Sequence, residues 1–149
     1  MELHKLRSTN TIDFFSANTA TALELPYVDA GISAGFPSPA DDFMEFSIDL
    51  NRELIKNPVS TFYGRVKGNS MKDIGIHNGD LLIIDKSLPP TNDKIAVCYI
   101  DGEFTLKRIK LDIDCVWLVP ANEVYQPIKV TAENEFMVWG IVIHVVKSF

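Results

Sequence analysis

Residues 94–111 read KIAVCYIDGEFTLKRIKL, and this stretch decides the fold class. Two strand-like runs, Lys94–Ile100 and Glu103–Leu111, flank the pair Asp101-Gly102. Aspartate followed by glycine suits a type I′ turn, in which both central residues have positive φ. The sequence therefore predicts a β-hairpin here.

Further strand-like segments lie before and after this hairpin in the sequence. One short helix is predicted at Asp49–Lys56, with Asp49 as its N-cap and Pro58 ending it. Several strands at short spacing with one helix predict a mainly-β fold, built as a strongly bent sheet or open barrel. The other predicted strands are Thr61–Val66, Leu81–Ile84, Val116–Val119 and Phe136–Val146.

Composition and charge restrict the function. A chain of 149 residues suits one domain with a short appendage. Its net charge of −6 argues against a free-standing nucleic-acid binder, which needs clustered lysine and arginine. No apolar run is long enough for a membrane span or a signal-peptide centre, so we expect a cytoplasmic protein. Cys98 and Cys115 match no zinc spacing, and we expect two reduced thiols, no metal and no cofactor.

Residues 1–34 differ in character from the rest of the chain. They hold short polar stretches with little periodicity, and glycine and proline punctuate the residues that follow. We expect an extended N-terminal arm that runs into a loop. This arm is too short for a helix-turn-helix with a linker and lacks paired amphipathic helices, so we expect no direct sequence-specific DNA binding.

A candidate nucleophile lies in the run Lys67-Gly68-Asn69-Ser70-Met71. Gly68 lets the backbone bend sharply, and Asn69 tolerates unusual dihedral angles. Consecutive backbone N–H groups in such a bend can point at a developing oxyanion, and those of Ser70 and Met71 are the candidates. Because most serines in turns are only structural, Ser70 needs a base before it can be assigned as a nucleophile.

Lys107 is the candidate base. Alternation along Glu103–Leu111 places Lys107 on one face with Thr105 and Ile109. Desolvation against apolar surface lowers the pKa of a lysine, and only a neutral amine can accept the serine proton. The competing interpretation is a solvated surface lysine. A serine–lysine dyad requires no histidine, and the three histidines of the chain are scattered along it.

A possible substrate lies in the same chain. The Ala34–Gly35 bond joins two small residues that offer little steric resistance to cleavage. A chain that carries a nucleophile, a base and such a bond is interpreted as a self-processing serine protease.

On these residues the chain resembles the LexA/UmuD-type self-cleaving serine peptidases of the bacterial SOS response, and within them the UmuD branch. The likeness spans about residue 35 to the carboxyl terminus, and the matching motifs occur in the family's order. They are Gly35–Ala40 for the processing site, Ile48–Asn51 for the segment after it, Gly68–Met71 for the nucleophile loop, Asn78–Ile83 for the next strand, Asp101–Thr105 leading to the base, and Gly140–Lys147 at the end.

The resemblance implies a function and partners. It implies a regulatory arm, residues 1–34, that self-cleavage removes from a peptidase domain, residues 35–149. Ser70 would attack the carbonyl of Ala34 with Lys107 as base, and Gly35 would become the new amino terminus. The implied partners are a second copy in a homodimer, a RecA–single-stranded-DNA filament that promotes the cut, and a UmuC-like Y-family polymerase that the processed form joins for error-prone translesion synthesis.

Two departures and two alternative functions accompany this resemblance. The family commonly has aspartate before the nucleophile where this chain has Asn69, and the bond is Ala–Gly where the UmuD branch often has Cys–Gly. One alternative is a LexA- or phage-type repressor fragment that controls transcription. The other is a non-cleaving polymerase scaffold in which Ser70 and Lys107 are inactive.

Overall fold

The computed structural model describes residues 2–20, 22, 24–28 and 44–149, with side chains for residues 5–17, 19, 20, 22 and 47–149. The described strands are β1 (Glu2–Ser8), β2 (Ile12–Asn18), β3 (Glu24–Val28), β4 (Met44–Asp49), β5 (Thr61–Val66), β6 (Leu81–Asp85), β7 (Ile95–Ile100), β8 (Glu103–Leu111), β9 (Val116–Val119), β10 (Ile128–Val130) and β11 (Phe136–Val146). Helix α1 spans Leu50–Leu54, and single 3₁₀ turns lie at Pro58–Ser60 and Lys72–Ile74.

Nine of these strands form one antiparallel sheet in the order β1-β2-β5-β6-β11-β7-β8-β9-β10, while β3 pairs with β4. The long strand β11 pairs with β7 through its first half and with β6 through its second half. Both ladders shift register on β11, between Val138 and Gly140 and between Val142 and His144, and such irregularities bend a sheet. The predicted mainly-β fold with one short helix is confirmed.

Glycine is required at the first of these shifts. A Cβ at Gly140 would lie 2.5 Å from Cγ2 of Ile84 on the neighbouring strand β6. A residue with a side chain at this position would therefore clash with the buried side chain of Ile84, which already fills the space.

Side chains from both faces of β6 are buried, because a separate apolar cluster packs against each face. Leu82 and Ile84 point into a cluster with β2, β5, β7 and β8, whereas Leu81 and Ile83 contact the residues around α1 and the second half of β11. This two-sided burial explains why β6 is a continuous apolar run rather than an alternating one.

The predicted hairpin forms as expected. Strand β8 has the predicted bounds, and β7 begins one residue later than predicted. Asp101 has φ 46° and Gly102 has φ 91°, the positive values that the type I′ turn requires.

Helix α1, Leu50–Leu54, is shorter than the predicted helix Asp49–Lys56. The carboxylate of Asp49 accepts a hydrogen bond from the backbone N–H of Asn51, which confirms the N-cap. The helix ends at Leu54 because Ile55 adopts an extended conformation, with φ −116° and ψ 99°, and is buried in the core. Burial of this side chain therefore outweighs one more helical turn.

The first half of the N-terminal arm belongs to the main sheet, which the sequence did not predict. Strands β1 and β2 form a hairpin whose second strand pairs with β5 from Ile12 opposite Val66 to Ser16 opposite Phe62. Ile12 and Phe14 are buried in the core, and full burial of such a side chain contributes roughly 1.5–3 kcal/mol. The described part of the arm is thus largely strand, and Ile12 and Phe14 place part of it in the core.

The buried carboxylate of Asp85 connects the segment after α1 to the end of β6 through hydrogen bonds. Asp85 accepts hydrogen bonds from Asn57 Nδ2 at 2.7 Å, from Ser60 Oγ at 2.8 Å and from the backbone N–H and Oγ of Ser87. Burial alone raises the pKa of Asp85, but the hydrogen bonds from Asn57, Ser87 and Ser60 outweigh it and lower the pKa to about 2.

Asp85→Asn is expected to lower the free energy of unfolding at pH 7 by about 2 kcal/mol, because the lowered pKa measures how strongly the folded state favours the charged form. This contribution is complete above the pKa of an unfolded aspartate and is lost as the pH falls from about 4 to about 2. Urea unfolding at pH 7 and pH 3 measures both effects. The exposed Asp114→Asn serves as control. Equal losses of unfolding free energy in the two variants would contradict a stabilising role for the buried carboxylate of Asp85.

Candidate functional site

The loop that carries Ser70, residues 67–71, is called the serine loop here. It is held to the turn before β6. Gly68 has φ 89°, a conformation that favours glycine, and its N–H donates to Asn78 Oδ1 at 3.0 Å. The backbone N–H of Asn78 donates in return to Asn69 Oδ1 at 3.4 Å. These two bonds fix the backbone directly before the serine.

A second loop, which follows β9, holds the same segment from the other side. The buried Asn122 donates from Nδ2 to the carbonyl of Asn69 at 2.8 Å and accepts at Oδ1 from the backbone N–H of Val124 at 3.1 Å. The backbone N–H of Asp73 also donates to the carbonyl of Ala121 at 2.8 Å. The backbone is therefore anchored on both sides of Ser70.

The sequence did not single out Asn122 as part of the site. Its signal is modest: an asparagine in a short loop, in Pro120-Ala121-Asn122 directly after a predicted strand. Such a residue is ordinarily assigned to a turn, and only the packing of this loop against the serine loop reveals its contact.

Lys107 lies on β8 opposite Ala96 of β7, and only 6% of it is exposed. Its Nζ donates to Thr105 Oγ1 at 2.8 Å and to the carbonyl of Leu106 at 3.1 Å. Burial lowers the pKa of Lys107, and the neighbouring Cys98 opposes this shift more weakly. Within the described part of the chain, no carboxylate forms an ion pair with Lys107. The amine is thus desolvated without a compensating negative charge.

Ser70 and Lys107 line one cleft of about 250 Å³. Ser70 is half-buried there, and Lys107 Nζ donates to Thr105 and Leu106 rather than to Ser70 Oγ. The fold therefore brings a hydroxyl and a desolvated amine to one site although they are distant in sequence. The other lining residues are Thr11, Lys67, Gly68, Asn69, Thr105, Tyr125, Gln126 and Ile128.

The two candidate oxyanion donors lie in this loop. In the described part of the chain, the backbone N–H groups of Ser70 and Met71 have no hydrogen-bond acceptor. Met71 itself is buried in the core, which fixes the backbone at this position. Unpaired N–H groups on a fixed backbone can stabilise a negatively charged oxygen.

Other predicted residues lie away from the cleft or outside the described chain. Ala34 and Gly35 fall outside the described residues, in the connection between β3 and β4. Neither His77 nor His144 lines the cleft. Cys98 is buried, with its pKa raised by desolvation to about 12, so it is a poor nucleophile.

Comparison with known families defines the class of protein. Residues 26–143 match the family described as peptidase S24-like. This match covers most of the chain, and the chain belongs to that family. Among the described residues, no helix is long and apolar enough to cross a membrane.

Individual relatives specify the branch. The chain is 41% identical to protein SamA of Salmonella typhimurium over 109 residues, which cover 73% of this chain and 75% of SamA. It is 36% identical to protein MucA of Escherichia coli over 136 residues, or 89% of this chain and 92% of MucA. It is 37% identical to the LexA repressor of Alcanivorax borkumensis over 125 residues, or 84% of this chain and 60% of the repressor. The resemblance to UmuD-like members of the family is confirmed.

Asn122→Ala is expected to lower the free energy of unfolding by roughly 1–3 kcal/mol, because the carbonyl of Asn69 and the N–H of Val124 both lose a buried partner. Hydrogen exchange at the amide of Lys72, which also donates to the carbonyl of Asn69, should become faster. Glu123→Ala, an exposed neighbour, should change neither measurement. An unchanged exchange rate at Lys72 in Asn122→Ala would show that Asn122 does not hold the serine loop.

Proposed function

We propose that this peptidase S24-like protein is a self-cleaving serine peptidase that cuts its own Ala34–Gly35 bond with a Ser70–Lys107 dyad. The observation that supports it most directly is the shared cleft, in which the hydroxyl of Ser70 lies with a desolvated amine. In this proposal the cut divides the chain into an N-terminal arm, residues 1–34, and a peptidase domain, residues 35–149.

The hydrogen bonds of Lys107 suit the role of base. A neutral amine has two N–H donors and one lone pair. Thr105 Oγ1 and the carbonyl of Leu106 accept two hydrogen bonds from Nζ, which leaves the lone pair for the proton of Ser70. Formation of the dyad requires Nζ to move within the shared cleft to Ser70 Oγ, to which it does not donate in this structure.

The reaction proceeds in two stages. Ser70 Oγ attacks the carbonyl carbon of Ala34 while Lys107 takes its proton, and the N–H groups of Ser70 and Met71 stabilise the oxyanion. The protonated Lys107 gives the proton to the departing amine of Gly35, and an ester links Ala34 to Ser70. Water, deprotonated by the neutral Lys107, hydrolyses this ester and regenerates the hydroxyl.

The cellular role that we propose is in SOS mutagenesis. A RecA–single-stranded-DNA filament promotes the cut, and the processed form acts in the cytoplasm as a homodimer that joins a UmuC-like Y-family polymerase in error-prone translesion synthesis. Similarity across 92% of MucA, compared with 60% of a LexA repressor, supports this role. The LexA similarity supports a second candidate, a repressor-type protein that controls transcription.

Ser70→Ala and Lys107→Ala should each remain uncut at pH 10, since loss of a nucleophile or its base removes a factor of roughly 10²–10⁴ or more from the rate. Mass spectrometry of the purified protein, with and without activated RecA filament, detects a new amino terminus at Gly35. Lys110→Ala, on the same strand, is the matched control and should cleave like the parent. Cleavage of either dyad variant at the parental rate would refute the roles, and an intact parent chain would favour the scaffold.

Cleavage without any partner should accelerate as the pH rises. Burial lowers the pKa of Lys107, so the reactive neutral amine accumulates below the pH at which a solvated lysine loses its proton. The rate should rise about tenfold per pH unit while Lys107 is mostly protonated and level off above its pKa. Time courses between pH 7 and pH 10 measure this profile. A rate independent of pH across that range would count against a lysine base.

A further inference from the structure

The edge of β5 is a binding site for an extended strand, and β2 occupies it. Five residue pairs join the two strands, from Ile12 opposite Val66 to Ser16 opposite Phe62. On its other side β5 pairs with β6. Without β2, the backbone groups of β5 on this edge would lose their partners and would be open to pairing with another strand.

Side chains of β2 fill specific positions beside this edge. The ring of Phe14 packs against Phe104 and Trp139, with centroid distances of 5.1 Å and 4.7 Å. Ile12 lies over Gly64, where an added Cβ would come within 2.9 Å of Ile12 Cγ2. The site therefore accepts an extended segment with large apolar residues at alternate positions, as in strand addition to a sheet edge.

Polar contacts anchor the same segment next to the catalytic cleft. Thr11 Oγ1 donates to the carbonyl of Phe104 at 2.6 Å, and the N–H of Lys67 donates to the carbonyl of Thr11 at 2.6 Å. Lys67 Nζ forms an ion pair with Asp13 at 2.9 Å and donates to Ser8 and to the carbonyl of Thr9. Since Lys67 directly precedes Gly68, these bonds join the N-terminal hairpin to the serine loop.

All of these contacts connect residues on opposite sides of the Ala34–Gly35 bond. The pairing of β3 with β4 also spans it, since the bond lies between these strands in sequence. Cutting this bond breaks none of the contacts, and it converts the hairpin from a covalently attached arm into a bound peptide.

We propose that the fragment 1–34 stays bound to residues 35–149 after the cut, seated on the β5 edge by Ile12 and Phe14. For the natural cut, this inference rests on the proposed self-cleavage. The product is then a two-chain complex rather than a free domain. The β5 edge and its aromatic neighbours open only when the fragment is displaced.

The test makes the cut independently of self-cleavage. A recognition sequence for an exogenous site-specific protease is inserted between Ala34 and Gly35 in the Ser70→Ala chain, and the chain is cut and passed over a gel-filtration column. We expect the fragment to elute with residues 35–149 in native buffer and to separate in guanidinium chloride. Elution of the fragment by itself in native buffer overturns the proposal. Failure of the parent chain to cut itself would refute the proposed function without affecting this result.

Matched variants locate the attachment. Phe14→Ala should speed release of the fragment by about 100-fold or more, because it removes a buried ring, whereas Leu6→Ala, which truncates a side chain that is 53% exposed, should not. Equal retention of the fragment in both variants would overturn the assignment to the β5 edge.

Hydrogen exchange in the cut chain without either substitution gives a second test. Continued protection of the β5 amides on the edge that pairs with β2 supports retention, and their rapid exchange opposes it.

Discussion

Removal of water from the amine of Lys107 is the interaction on which the candidate site depends. Strands β7 and β8 bury this side chain, and the described structure places no carboxylate against it. Desolvation therefore favours the neutral amine, while Thr105 and Leu106 accept its hydrogen bonds. Because a neutral amine is the form that can act as a base, the burial that costs stability is also the source of the proposed chemistry.

The serine loop is held by elements from three parts of the chain. Asn78 before β6, Asn122 after β9 and Thr11 in the N-terminal hairpin all bond to residues 67–69. Such a loop has a backbone fixed from several directions, which suits donors that must be in place before negative charge develops. The N-terminal hairpin is therefore part of the structure around the site as well as part of the segment that the proposed cut would separate.

The elements that the sequence predicted well are those whose local pattern agrees with their packing. The hairpin of β7 and β8 has both a turn pair and strand-like flanks, and β5, β9 and β11 have the predicted bounds. The helix was predicted too long because the core takes Ile55 out of it. The N-terminal strands were missed because polar stretches interrupt the apolar residues of this region and leave little periodicity, and pairing with β5, distant in sequence, stabilises β2.

The sequence by itself determined the chemical groups and the local geometry: a serine behind a glycine that can adopt positive φ, a lysine on an alternating strand and a turn pair that closes a hairpin. Only the tertiary structure decided that Lys107 is buried, that it shares a cleft with Ser70, and that Asn122 and the N-terminal hairpin hold the serine loop. The physical reason is that desolvation and long-range hydrogen bonds depend on which strands become neighbours. Which strands become neighbours is determined by the packing of the whole sheet and cannot be read from a local pattern of residues.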